Sequence, residues 1–178
     1  MTQPSRRRFL STLAASAVAL AASPALGAAR PPTRALRFSH LHTNESLTVE
    51  YFQGGRYQAD ALAAVNQLLR DFRTGEVHAI DPALLDVLFE VRGRVATRRP
   101  FEVISGYRSP HTNATLRRKS EGVAARSLHM SGRAIDVRID DVPLATLRRS
   151  ALALRAGGVG YYPASNFVHL DTGRARVW

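Results

Sequence analysis

Three residues in the second half of the chain have the types and spacing to hold a metal ion. His129 sits in the loop "SLHMSGRAID", Asp136 follows seven residues later, and His169 lies within "FVHLD". The segment "RAIDVRI" alternates like a strand, with Ile135, Val137 and Ile139 on one face and Ala134, Asp136 and Arg138 on the other. Gly132 allows the chain to turn back tightly, so the His129 imidazole can reach the strand end where Asp136 lies. Two imidazoles and one carboxylate on neighbouring strands or strand ends make a three-ligand set, which leaves a fourth position open as in catalytic zinc sites. The same donors suit non-haem iron, and spacing alone does not separate the two metals. The chain has no cysteine, so thiolate ligation and disulfides are both excluded.

The elements that must position these residues can be read from pattern. "ALRFSHLHTNESLTVEYF" alternates on both sides of "TNES" as a β-hairpin would. Helical spacing follows from Gln58 to Phe72, and a second helix starts at Asp81 as N-cap with Pro82 in its first turn. "PFEVIS" reads as a buried strand leaving through Gly106 into a loop, and a short polar helix covers "TNATLRRKS". A further helix after Pro143 is expected to stop at Gly157-Gly158, before closing strands "VGYY" and "NFVHLD". Helices dominate the first half and short strands the second. The expected class is therefore α+β, with a small antiparallel sheet that carries the metal residues and packs against helices.

The first residues read differently from the rest. "SRRRFL" precedes the modestly apolar "STLAASAVALAA" and the small residues Ala25 and Gly27, the order of a cleavable export signal over residues 1–27. The paired arginines before Phe9 give it a twin-arginine character. Residues 28–34 read as a linker, and residues 35–178 as a single domain without a membrane span. Residues 1–27 hold Arg6, Arg7 and Arg8 and no acid, so the remainder keeps +8 of the net +11. For an exported chain with scattered basic residues, anionic cell-wall polymers are better partners than nucleic acid. The default assembly is a monomer.

"SLHMSGRAID", with "SGYRSP" upstream and a late-strand histidine, resembles the signature of the D-alanyl-D-alanine carboxypeptidase type of zinc peptidases. More closely, "LRDFRTGEVHAIDP", the run from Ser105 to Ile139 and "GGVGYYPASNFVHLDTGRARVW" resemble the murein endopeptidase K family of cell-wall hydrolases. The resemblance implies one Zn2+ per chain on His129, Asp136 and His169. It also implies a hydrolase of the periplasm or another extracytoplasmic space, acting on cross-linked stem peptides of peptidoglycan at L,D or D,D links. A wall-binding module that holds zinc without cutting is the alternative.

The resemblance gives Arg108 the role of stabilising an oxyanion or holding a substrate carboxylate. Ser127 is expected either to bond the site or substrate or to cap its loop, and Tyr107 and His111 to line the substrate groove. Relatives often keep an acid or histidine two or three residues before the last ligand; here Phe167 and Asn166 stand there. Asp171 shares a strand face with His169 and is the nearest candidate for handling the proton. Its other reading is to orient a ligand or bind Arg174. His40 and His42 are expected on an exposed strand face, His78 is expected to be incidental, and Trp178 is expected to plug the core.

Overall fold

The computed structural model describes residues 33–120 and 122–178; the expected export signal and most of the linker lie outside them. Strands β1 (Arg34–His40) and β2 (Ser46–Gln53) form the expected hairpin, and β3 (Arg56–Tyr57) extends it. Helices α1 (Ala59–Leu68) and α2 (Pro82–Val95) follow, then β4 (Phe101–Ser105) and α3 (Pro110–Lys119). A 3-10 turn (Leu128–Ser131) leads into β5 (Ala134–Arg138), α4 (Leu144–Leu152), β6 (Gly158–Tyr162), β7 (Phe167–Asp171) and β8 (Arg176–Val177).

The class is α+β, but the sheet is larger than expected. Eight strands join in the order β3-β2-β1-β4-β5-β7-β6-β8. The hairpin enters the same sheet because β1 pairs parallel with β4, and β6 pairs parallel with β8, so the sheet is mixed. The first helix ends at Leu68 rather than Phe72. Asp71 there accepts from the backbone of Arg73 and from both the backbone and the hydroxyl of Ser109, turning the chain into a loop.

Local signals explain the helix starts. The Asp81 carboxylate accepts from Ala83 N at the start of α2, and Ser109 caps α3 through Thr112 N. Leu84, Leu85, Leu88 and Val91 on α2 are fully buried, each removing from water a side chain worth about 1.5–3 kcal/mol. Across β5 and β7 the register pairs Ile135 with Leu170 and Val137 with Val168, and all four enter the hydrophobic core with Leu147 and Ala151 of α4. The intervening pair, Asp136 opposite His169, therefore projects from the other face of the sheet. No helix among the described residues is long and apolar enough to cross a membrane.

Candidate metal centre

The antiparallel ladder sets Asp136 directly opposite His169, and the 3-10 turn brings His129 to the same spot. That turn is held at both ends. Ser127 Oγ accepts from His129 N, and Gly132 takes φ +65 while its N–H returns to the His129 carbonyl. A Cβ at Gly132 would overlap the Ala79 carbonyl oxygen, so only glycine satisfies both the dihedral and the close approach. Arg108 N donates to the His129 carbonyl at 3.1 Å, tying the loop after β4 to the same turn.

One ligand atom from each of His129, Asp136 and His169 lies within 4.8 Å of the others, and all three residues are buried. His169 Nδ1 is 2.9 Å from Asp136 Oδ1, His129 Nε2 is 3.3 Å from the same oxygen, and the two imidazole nitrogens are 3.2 Å apart. Ligands about 2.0–2.1 Å from a tetrahedral zinc would lie roughly 3.3 Å from one another, so the spacing fits the ion.

The tautomers fit as well. His129 Nδ1 lies 2.7 Å from the Gly106 carbonyl oxygen, which can only accept, so its proton is on Nδ1 and Nε2 offers a lone pair to the cluster. His169 Nε2 faces the Asp171 carboxylate at 3.0 Å, which leaves Nδ1 free on the cluster side. Back-side partners of this kind are what metal-ligating histidines use to fix their orientation. Two imidazole nitrogens and a carboxylate oxygen converging at about 3 Å form a group that could hold a metal ion.

Electrostatics favour a neutral His129 and an ionised Asp136, whereas the two carboxylates beside His169 draw it toward its protonated form. Burial pushes the His129 pKa down, keeping a neutral imidazole. Burial alone would raise the Asp136 carboxyl, but His129 and His169 outweigh it and hold the group well below the usual carboxylate range. For His169 burial lowers the pKa, and the bonds to Asp136 and Asp171 reverse the sign and raise it. Asp171 is also held well below the carboxylate range, since His169, Arg176 and the backbone N–H groups of Gly173 and Gly158 outweigh its burial.

Arg108 reaches Asp136 Oδ2 and Ser105 Oγ, each at 3.4 Å, and its Nε is buried with no partner among the described residues. With Ser127, Tyr162, Phe167 and Trp178 it lines a cleft of about 400 Å³ that opens onto the three metal-type residues. Tyr107 and His111 do not join them. Tyr107 is buried, its hydroxyl donating to Glu76 at 2.7 Å and its ring stacked on His78, while His111 is exposed on the first turn of α3.

Several residues stand differently from the sequence reading. The basic partner of Asp171 is Arg176, at 2.7 and 3.1 Å, not Arg174. His40 is completely buried, because β1 lies between β2 and β4, although His42 is exposed and stacked on Phe72. Trp178 is 45% exposed and lies on the cleft instead of plugging the core. The Gly106 carbonyl carries no signal in sequence, since any residue supplies one; only the packed loop reveals its role.

The sequence profile of the family described as "Peptidoglycan L,D-endopeptidase MepK" matches residues 28–178. The peptidoglycan L,D-endopeptidase MepK of Escherichia coli (strain K12) is 49% identical over 148 residues, covering 83% of this chain and 81% of the relative. The probable peptidoglycan L,D-endopeptidase MepK of Haemophilus influenzae is 45% identical over 149 residues, covering 83% and 80%.

Proposed function

Because the chain belongs to the peptidoglycan L,D-endopeptidase MepK family of peptidases, we propose that it is a zinc-dependent peptidoglycan hydrolase cleaving L,D peptide cross-links. The observation that carries the metal assignment is the pair of imidazoles whose far nitrogens are bonded to Gly106 O and Asp171, so that both remaining lone pairs meet the Asp136 carboxylate. His129, Asp136 and His169 would hold one zinc ion. Bound there, zinc supplies Lewis-acid chemistry, polarising a carbonyl and activating water at neutral pH.

The chain's own residues take distinct parts. Arg108, anchored through Asp136 and Ser105, keeps donors for the negative charge that develops on a carbonyl oxygen, or for a substrate carboxylate. Asp171 holds the His169 tautomer. Its five close contacts and its strongly lowered pKa support this positioning role, because a proton acceptor works best with a pKa near the operating pH. Ser127 caps the turn that presents His129 and also faces the cleft.

The protein would act outside the cytoplasm as a monomer, after export directed by residues 1–27. Replacing Arg6 and Arg7 together by lysine should leave uncleaved precursor in the cytoplasm; normal processing of that variant would exclude the twin-arginine route. Elemental analysis of the purified protein, beside mass analysis of fragments released from defined L,D- and D,D-linked muropeptide dimers, tests the activity. Stoichiometric zinc with release from the L,D dimer is expected. Stoichiometric iron would overturn the metal assignment, and zinc with bound but uncut dimers would leave a wall-binding module.

A further inference from the structure

We propose that Trp178 is the substrate-contacting wall of the cleft, covering the aliphatic side chain of the peptide residue next to the scissile bond. The proposal rests on the hydrolase reading above and assigns a specificity-determining contact within it. Trp178 is the only tryptophan of the chain, and the residue is 45% exposed. A large aromatic residue left partly in water on a cleft needs a reason, because its full burial would otherwise contribute to the fold.

The ring is nevertheless rigidly placed. The Trp178 backbone continues the sheet, its N–H donating to Val159 O and its carbonyl accepting from Tyr161 N. The indole Nε1–H donates to the Tyr162 hydroxyl at 2.7 Å. The Arg176 guanidinium lies 4.7 Å from the ring centroid while it also binds Asp171. The His169 ring is 5.2 Å away at 51°. Beneath the indole is Gly160, the residue opposite His169 in the β6–β7 ladder. A Cβ at that position would come within 2.8 Å of two indole atoms, so the missing side chain is the space in which the ring lies.

An exposed aromatic surface fixed in advance loses little entropy when a ligand covers it, which makes it a binding surface rather than a packing one. Tyr162 and Phe167, stacked at 4.6 Å, continue the wall, and Arg108 adds a cation to the same cleft. That combination fits a ligand that carries methylene groups close to a carboxylate or amide. The position of the ring against His169 assigns it to the residue adjoining the cleaved bond, not to a distant sugar.

The test uses the zinc-loaded protein and its single tryptophan as reporter. The probe is a cross-linked stem-peptide dimer whose cross-linking amide is replaced by a methyleneamine, titrated beside an N-acetylglucosamine tetramer. The dimer should shift Trp178 emission to the blue and protect it from iodide quenching in a saturable way, whereas the sugar should do neither. Trp178→Ala should raise KM on the order of 10-fold or more, with kcat and zinc content close to wild type. Trp178→Phe should recover most of that loss.

Emission and quenching unmoved by a dimer that inhibits turnover would overturn the wall, as would a response to the sugar alone. Loss of zinc in Trp178→Phe would also overturn it, by reducing the ring to a structural prop. A protein that shields Trp178 with the dimer but cuts no cross-link would keep the wall and sink the hydrolase reading. One that cuts without shielding would do the reverse.

Discussion

Replacing Asp171 by asparagine probes how far the site depends on what lies behind its ligands. The carboxylate accepts through Oδ1 from Gly158 N at 2.9 Å, Gly173 N at 2.8 Å and Arg176 at 3.1 Å. Through Oδ2 it accepts from Arg176 at 2.7 Å and faces His169 Nε2 at 3.0 Å. An amide has one oxygen, so one of these groups must meet an NH2. If the oxygen stays with the glycines, the NH2 faces Arg176 and Nε2, which drives the His169 proton to Nδ1, the atom turned toward Asp136. If it flips, the buried Gly158 N–H and the part-buried Gly173 N–H lose their acceptor, at about 1–3 kcal/mol of fold stability for the buried one. Zinc affinity should fall about 10- to 100-fold, the usual effect of removing a partner behind a metal-bound histidine. Competition with a chromogenic chelator measures that loss, and turnover at saturating zinc should recover to near wild type. Unchanged zinc affinity with turnover lowered about 10²–10⁴-fold at saturating metal would refute the positioning role and make Asp171 the proton-handling group.

Arg108→Lys keeps the charge but loses the planar pair of donors, and kcat should drop about 10²–10³-fold with zinc content intact. Gly132→Ala forces a side chain into a left-handed turn against the Ala79 carbonyl; thermal unfolding should show a loss of at least about 2 kcal/mol, together with weaker zinc binding. His40, whose pKa burial lowers to about 4, stays neutral when folded but takes a proton near 6.5 when unfolded. Its contribution is complete above pH 6.5 and is lost as the pH falls toward 4, by about 3 kcal/mol at most. His40→Phe should flatten the wild-type decline of melting temperature across that window, and an unchanged slope would remove His40 from the acid response.

How much was legible in sequence depended on whether the signal was local. Asp81 and Pro82 announce α2 because capping involves only neighbouring residues, and the alternation of β5 puts Asp136 on the face away from Ile135 and Val137. Strand parity and a turn glycine made Asp136 and His129 candidates, the family resemblance joined His169 to them, and the structure brings the three together. What stayed hidden was set by distant packing. The parallel β1–β4 pairing buries His40, the bend at 172–175 that returns the chain to the sheet presents Arg176 rather than Arg174 to Asp171, and an absent side chain at Gly160 leaves room for Trp178 on the cleft.

The direct opposition of Asp136 and His169 across the β5–β7 ladder has a consequence for how this chain can change length. A point substitution at either position removes one donor and leaves the rest in place. A single-residue insertion or deletion inside β5 or β7 inverts the parity of everything beyond it, turning a donor into the core and Val168, Leu170 or Val137 out of it. The loops at 140–143 and 153–156, outside both the ladder and α4, are under no such restriction. Length variation compatible with a working site should therefore gather there and between β6 and β7, while the two short strands keep their residue count.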